Sequence, residues 1–214
     1  EFFSENLVRV YLSTFSQSVR PHRLTLLHQL ARFLMCEEPR TFIPSTRFLG
    51  IRRKRPVIRV LSRAEASRFL VACDRMPSTS SFARRVVHGT ALRLLLLTGL
   101  RRGEVLGLKN QDVDLNQGTL QVRGKFGKTR MVPIAEDLTR RLQDYRKKVT
   151  AELKHHAAND AFFPRADGQH PTACKSLYKS FRCVLQTAGI EHRGRGEGPR
   201  IHDLRHSFAV LRLL

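Results

Sequence analysis

Acidic residues and long apolar runs are what this sequence has least of. Only 18 Asp and Glu stand against 39 Lys and Arg, so the 214-residue chain carries a formal net charge of +21 and a pI of about 11.3. The longest apolar run, Leu94 to Leu97, is far too short to span a bilayer, and no signal peptide opens the chain. A membrane is therefore not an expected partner. The four cysteines, Cys36, Cys73, Cys174 and Cys183, include no C-x-x-C pair and none lies near a histidine at zinc-ligand spacing. This argues against a metal site, and no cofactor is expected. Cys73 falls on an apolar helical face with Ala66, Phe69 and Leu70, and Cys183 lies beside Phe181 and Val184. Both read as small buried hydrophobes of a reducing, cytoplasmic protein.

What is present is enough to fold. At 41% hydrophobic the sequence can bury a sizeable core, which separates it from a disordered basic tail. A folded protein with so much uncompensated charge repels itself, and a polyanion partner is the commonest reason to keep it. Phosphate contacts release counterions and dominate nucleic-acid affinity. Nucleic acid is the favoured partner, ahead of a membrane surface or ribosomal RNA.

Residues 1–47 read as about two helices, with apolar periodicity in Leu7 to Phe15 and in Leu26, Leu27, Leu30, Phe33 and Leu34, before Pro39 and Pro44 interrupt. Two helices are too few for an independent domain. The run Ile51-Arg52-Arg53-Lys54-Arg55-Pro56-Val57 is a basic, proline-closed linker, either a solvated charge run or a strap across a phosphate backbone. Leu61-Ser62-Arg63-Ala64-Glu65 then has the spacing of a capping box. A second helix is expected over Phe82 to Thr98, stopping at Gly99, with a short helix or turn through Leu108. Residues 119–123 and 129–134 read as strands joined by Gly124-Lys125-Phe126-Gly127-Lys128, a β-hairpin. Helices follow at 136–153, with Leu138, Leu142, Tyr145 and Val149 on one face, and at 173–188, with Leu177, Phe181, Val184 and Leu185. A glycine-rich basic loop, Gly189 to Pro199, leads to a last helix. His155 and His156 read as surface.

That last helix opens with Ile201-His202-Asp203-Leu204-Arg205-His206-Ser207-Phe208-Ala209. Three-residue spacing puts His202 and Arg205 on one side of it, while Leu204, Phe208 and Leu211 form an apolar stripe. Arginine offers a planar fork of donors and histidine a further donor that titrates near neutral pH, a pairing suited to a phosphate. Alone, such a pair is more often just the solvated face of a helix start. Two more basic residues, however, also fall at element edges. Arg101 follows the Thr98-Gly99-Leu100 break, and Lys125 sits in the hairpin loop.

In order and context these segments resemble the tyrosine recombinase, or phage integrase, family. Thr98-Gly99-Leu100-Arg101-Arg102-Gly103-Glu104-Val105-Leu106-Gly107-Leu108 is similar to its first arginine motif. Gly124-Lys125-Phe126-Gly127-Lys128-Thr129-Arg130-Met131-Val132-Pro133-Ile134 is similar to its hairpin lysine and second strand, and His202-Asp203-Leu204-Arg205-His206 to its H-x-L-R-H box. The resemblance implies an α+β, mainly α catalytic domain with a small antiparallel sheet over 59–214. It further implies a basic linker at 51–58 and a partial helical core-binding domain at 1–50. The implied activity is DNA strand cleavage and rejoining through a 3′-phosphotyrosyl intermediate, in site-specific recombination, integration or transposition. Double-stranded DNA and further recombinase subunits, as dimers or tetramers on DNA, are the implied partners.

By match to the motifs, Arg101 and Arg205 would clamp the scissile phosphate. Lys125 would act as general acid, and His202 would donate a hydrogen bond or shuttle the nucleophile's proton. Glu104 would orient Arg101, while Asp203 and His206 would brace the helix. Arg52, Arg53, Lys54, Arg55, Lys128 and Arg130 are the further candidates for DNA contact. The family places its nucleophilic tyrosine after the H-x-L-R-H box, whereas the tyrosines here, Tyr11, Tyr145 and Tyr178, all precede it. Tyr145 and Tyr178 read as core. The catalytic domain is thus expected to be incomplete at its carboxyl end, and the chain as given to be inactive in cleavage. The alternatives are a DNA-binding fragment of a recombinase, or an RNA-associated basic protein, which explains the charge but not the ordered motifs.

The charge itself generates a prediction. The chain is expected to bind duplex DNA with an affinity that falls by orders of magnitude between about 50 and 200 mM salt, because each neutralised phosphate releases counterion. An anisotropy titration that is flat over that range would sink it.

Overall fold

The computed structural model describes residues 3–45, 48, 57–77, 81–124, 127–152, 160–165, 171–192, 194 and 198–213, with the side chains of residues 83 and 84 excepted. The chain divides into two compact units, Glu1–Pro56 and Val57–Leu214. Among the described residues no helix is long and apolar enough to cross a membrane.

The first unit is a helical hairpin. Helix α1 (Glu5–Ser13) starts at Ser4, whose hydroxyl accepts from the Leu7 N–H, and α2 (Arg20–Leu34) has Pro21 in its first turn. Val8, Leu12 and Leu24 form its small core, with Phe3, Leu27, Phe42 and Phe48 packed against them. Two helices can enclose only the stripe between them. Leu26, Leu30 and Phe33, part of the apolar pattern in the sequence, therefore face solvent, Phe33 at 68%.

The second unit begins as its capping box requires. The Ser62 hydroxyl accepts from the Glu65 N–H (3.2 Å) and the Glu65 carboxylate accepts from the Ser62 N–H (2.8 Å), opening α3 (Arg63–Asp74). The expected Phe82–Thr98 helix is two pieces: a π-helical segment, Ala83–His88, running into α4 (Gly89–Thr98). Leu92, Leu94, Leu95 and Leu96 of α4 are buried, and so is Arg93. Its guanidinium donates to the Leu70 carbonyl and the Asp74 carboxylate, both at 2.7 Å, so the buried charge is paired. A five-residue helix, α5 (Arg102–Leu106), follows.

The hairpin forms as expected, β2 (Thr119–Arg123) antiparallel to β3 (Thr129–Pro133), with Val122 opposite Arg130. A strand the sequence did not suggest, β1 (Val113–Asp114), adds to the other side of β2, giving the order β1-β2-β3. Two residues are too few to show an alternation. Helices α6 (Glu136–Glu152) and α7 (Cys174–Thr187) bury the expected faces. Tyr145 is core, and its hydroxyl donates to the Phe162 carbonyl at 2.8 Å.

Two expectations about α7 need correction. Tyr178 is not core but 40% exposed, because the buried stripe runs through Leu177, Phe181, Val184 and Leu185 and leaves Tyr178 on its flank, its ring tilted against Phe181. Cys183 is half-buried, since its place on the helix turns it between that stripe and the exposed Arg182 and Gln186. Cys73 is buried as read, and burial pushes its thiol up to about 12, which keeps it protonated.

Helix α8 (Ile201–Leu213) closes the unit. Leu204 is fully buried, Leu211 packs against the core from its edge, and Phe208 is half-buried. Ser207, also fully buried, accepts from the Leu61 N–H at 2.9 Å and donates to the Asp203 carbonyl at 2.8 Å. This links the last helix to the segment that enters α3. Phe208 lies across Gly99, the residue that ends α4 in the left-handed region at φ 63°. A Cβ on Gly99 would stand 2.3 Å from Phe208 Cδ1.

Gly99 and Gly127 give a controlled comparison. Both have positive φ, 63° and 70°, but a Cβ on Gly127 would meet nothing within 4 Å. Gly127→Ala is expected to cost only the left-handed strain, roughly 1–2 kcal/mol, and Gly99→Ala distinctly more, because Phe208 must also move. Equal losses in urea unfolding would refute the packing of α8 on the Gly99 turn.

Candidate active site

Three of the sequence-selected residues meet at the turn between α4 and α5. Leu100, Val105 and Leu106 are buried and fix the backbone, which leaves Arg101, extended at φ −71° and ψ 148°, exposed at the start of α5. Glu104 sits one turn on with its side chain only 6% exposed. It accepts from the Arg101 N–H (2.8 Å) and Arg101 Nη1 (3.0 Å), and again from Arg130 Nη1 (3.1 Å) and Nη2 (2.9 Å) on β3. Burial pushes the Glu104 carboxyl up. The hydrogen bonds from Arg130 and from the Arg101 backbone and side chain outweigh it and hold the pKa at about 2. Glu104 is thus a fixed anion gripping two arginines.

The second group lies on α8. Asp203 is fully buried and accepts three bonds from Arg200: from its N–H (2.9 Å), Nε (3.1 Å) and Nη2 (2.9 Å). Burial raises the Asp203 carboxyl, but the bonds and charge of Arg200 prevail and hold it below its ordinary value. His202 is exposed, its ring edge-on to His206 at 5.0 Å between centroids. Burial, the neighbouring His206 and the charges of Arg205 and Arg200 lower its pKa against the opposing pull of Asp203, so its imidazole is neutral at pH 7.

Arg205 joins the two groups. Its Nη1 donates to the Gly99 carbonyl, two residues before Arg101, beside the place where Phe208 covers Gly99. Residues 106 positions apart in the sequence are held together there. Arg101, Glu104 and Arg130 form one cluster, and Arg200, His202, Asp203, Arg205 and His206 the other. Lys128 is exposed at the foot of the hairpin loop, which the Gly124 N–H closes onto the Lys128 carbonyl at 2.7 Å. Lys125 and the linker residues Arg52, Arg53, Lys54 and Arg55 lie outside the described residues, as do His155 and His156.

Sequence reading missed Arg200, although its three-residue spacing from Asp203 at a helix start is that of a capping box. It named Arg130 only as a candidate for DNA contact and did not foresee its bidentate pairing with Glu104.

The phage integrase family model matches residues 59–212, and the chain belongs to that family. It is 32% identical over 191 residues to the putative integrase/recombinase y4rB of Sinorhizobium fredii, covering 88% of this chain and 60% of that one. Its identity to the tyrosine recombinase XerD of Shewanella oneidensis is 35% over 119 residues, 56% of this chain and 38% of XerD. The chain therefore spans about three fifths or less of the length of these curated relatives. Among solved structures, XerH site-specific recombinase bound to its difH substrate, a pre-cleavage complex, superposes with a TM-score of 0.68 at 25% identity, over 97% of this chain and 57% of that one. A lambda integrase tetramer bound to a Holliday junction shares the fold, with a TM-score of 0.61 at 19% identity, over 96% of this chain and 57% of that one.

The Glu104 linkage has a signed consequence. A carboxyl whose folded pKa lies below its unfolded value stabilises the fold above the unfolded value and loses that contribution as pH falls through the folded one. For Glu104 the window runs from its ordinary 4.5 down to about 2. Wild type is expected to be more stable than Glu104→Gln at neutral pH, and the difference in urea midpoint to shrink across that window. A difference independent of pH would contradict the assignment.

Proposed function

We propose that this chain contributes the phosphate-activating part of an enzyme that cleaves and rejoins DNA strands in site-specific recombination, integration or transposition. The observation that carries the reading is Arg205 seated on the Gly99 carbonyl, two residues from an Arg101 that Glu104 pins. Family membership and the DNA-bound relatives support it. In this reading residues 59–214 belong to the catalytic domain, 1–50 to a helical core-binding domain, and 51–58 to a basic strap. Double-stranded DNA is the substrate, and further copies complete a dimer or tetramer on it.

The chemistry follows from charge. A tyrosine hydroxyl attacks the scissile phosphorus in line while the bond to the 5′-oxygen breaks, leaving a 3′-phosphotyrosyl ester. Negative charge builds on the non-bridging oxygens at the transition state, where Arg101 and Arg205 bind it more tightly than the ground state. The neutral His202 imidazole takes up the tyrosine proton. Lys125 supplies a proton to the departing 5′-oxygen.

The nucleophile, we infer, comes from outside these 214 residues. Tyr145 is unsuited, since its hydroxyl is committed to the Phe162 carbonyl and burial raises its pKa well above the ordinary value. Tyr178 lies on the flank of α7 against Phe181, and Tyr11 lies on α1 of the amino-terminal unit.

A nicked suicide substrate tests both parts. The 214-residue chain should yield no covalent adduct, whereas a version extended through its tyrosine should. Arg205→Ala in the extended version should lose about 2.7–4 kcal/mol of transition-state stabilisation, the scale of one lost oxyanion donor. An adduct on Tyr145 or Tyr178 would overturn the assignment of the nucleophile, and an undiminished Arg205→Ala rate the assignment of the clamp.

A further inference from the structure

Glu104 poses an electrostatic problem for the clamp. A carboxylate in contact with Arg101 neutralises the charge that Arg101 is to offer a phosphate, and with a side chain only 6% exposed it does so with little help from water. The structure contains a remedy. Arg130 approaches Glu104 from β3 with both terminal nitrogens, at 3.1 and 2.9 Å, so each carboxylate oxygen has an arginine partner from each side. Arg130 is itself held in place. Its Nη1 passes beside Gly124, where an added Cβ would stand 3.6 Å from it and 3.3 Å from the Lys128 carbonyl. The Arg130 guanidinium thus occupies a slot between the hairpin and α5.

We propose that Arg130 is a positioning residue for the clamp: it serves as the counter-ion of Glu104, leaving Arg101 with its positive charge available and its guanidinium oriented. The proposal rests on the reading of Arg101 as a phosphate clamp. It replaces the role of a DNA-backbone contact that the sequence suggested for Arg130. Two functions are divided between two arginines on one carboxylate. Glu104 fixes where Arg101 points, and Arg130 cancels the charge that this fixing would otherwise cost. A carboxylate with a single arginine partner would orient that arginine and neutralise it at once.

The arrangement predicts an unusual rescue. Removing the positive charge of Arg130 leaves Glu104 to neutralise Arg101, and removing the Glu104 charge as well gives Arg101 its charge back. The test is single-turnover cleavage by the full-length gene product at saturating DNA, on an ordinary phosphodiester and on a substrate with a neutral methylphosphonate at the scissile position. Arg101→Ala and Arg130→Gln are each expected to slow the ordinary substrate by tenfold or more, within the roughly 10²–10³ that one lost donor removes. The methylphosphonate, which demands less positive charge, should recover part of the rate in both. Arg130→Gln with Glu104→Gln should exceed Arg130→Gln alone, and Arg130→Gln added to Arg101→Ala should cost nothing more. Arg130→Lys, which keeps the charge but not the fork, should fall between wild type and Arg130→Gln and serves if the glutamine variant fails to fold.

If Arg101→Ala slows cleavage while Arg130→Gln does not, the proposal alone is overturned. It is overturned equally if Arg130→Gln costs as much without Arg101 as with it, the mark of an independent DNA contact. If Arg101→Ala itself has no effect, the clamp reading falls and the proposal with it.

Discussion

Phe208 lies across a left-handed Gly99 that has no room for a Cβ, and beside it Arg205 caps the Gly99 carbonyl. The rest of the site depends on this contact. It ends α4, turns the chain so that Arg101 emerges at the start of α5, and seats α8 against that turn. A carbonyl at a helix end lacks an intrahelical partner, and an arginine is well suited to satisfy it. The same hydrogen bond serves structure and placement at once: it satisfies the helix end and seats Arg205 on the turn that leads to Arg101. Ser207 extends the anchoring to the other side of α8, bonding to Leu61 where the chain enters α3.

Bringing cations together is costly unless the surroundings take part. The unit does so with buried carboxylates, each committed to arginines. Asp203 holds Arg200, Glu104 holds Arg101 and Arg130, and Asp112, also buried, accepts from Arg123 on β2. A buried carboxylate without a partner would be strongly destabilising, and here each has one. These pairs set directions more than they add stability. Their arginines stay 41–52% exposed at the side chain, so the positive ends face outward while the acidic ends are covered. The surplus of 39 basic over 18 acidic residues is thus not spread passively at the site but aimed.

How much of this was legible beforehand follows from the range of each interaction. The capping box, the hairpin and the buried faces of α6 and α7 are local patterns, and they stand where periodicity put them. What periodicity cannot supply is the third dimension. Tyr178 and Cys183 lie beside the apolar stripe of α7, and only the packing around the helix decides that they leave the core. Strand β1 is made by its partner β2 and not by its own two residues. Arg130 was the sharpest case. In sequence it is one more basic residue in a basic hairpin, and nothing in its neighbours announces a carboxylate 26 positions away. Motif resemblance, by contrast, singled out Arg101 and Arg205 together, and the structure seats Arg205 on the turn that leads to Arg101.

Arg101 and Arg205 come from segments far apart in the sequence, which bears on how their arrangement depends on folding. Arg101 belongs to the α4–α5 turn and Arg205 to α8, 106 residues from the carbonyl it binds, so closing that loop cannot be supported by local structure alone. It depends on the core, where Leu92, Leu94 and Leu95 of α4 and Leu204 of α8 are all buried in the same cluster. A partly folded chain, or one whose α8 is undocked, keeps its positive charge and its attraction for a polyanion, but it lacks the contact that seats Arg205 on the Gly99 turn. Placing Arg101 and Arg205 on segments that meet only in the complete core makes their arrangement conditional on folding, while simple electrostatic attraction is not.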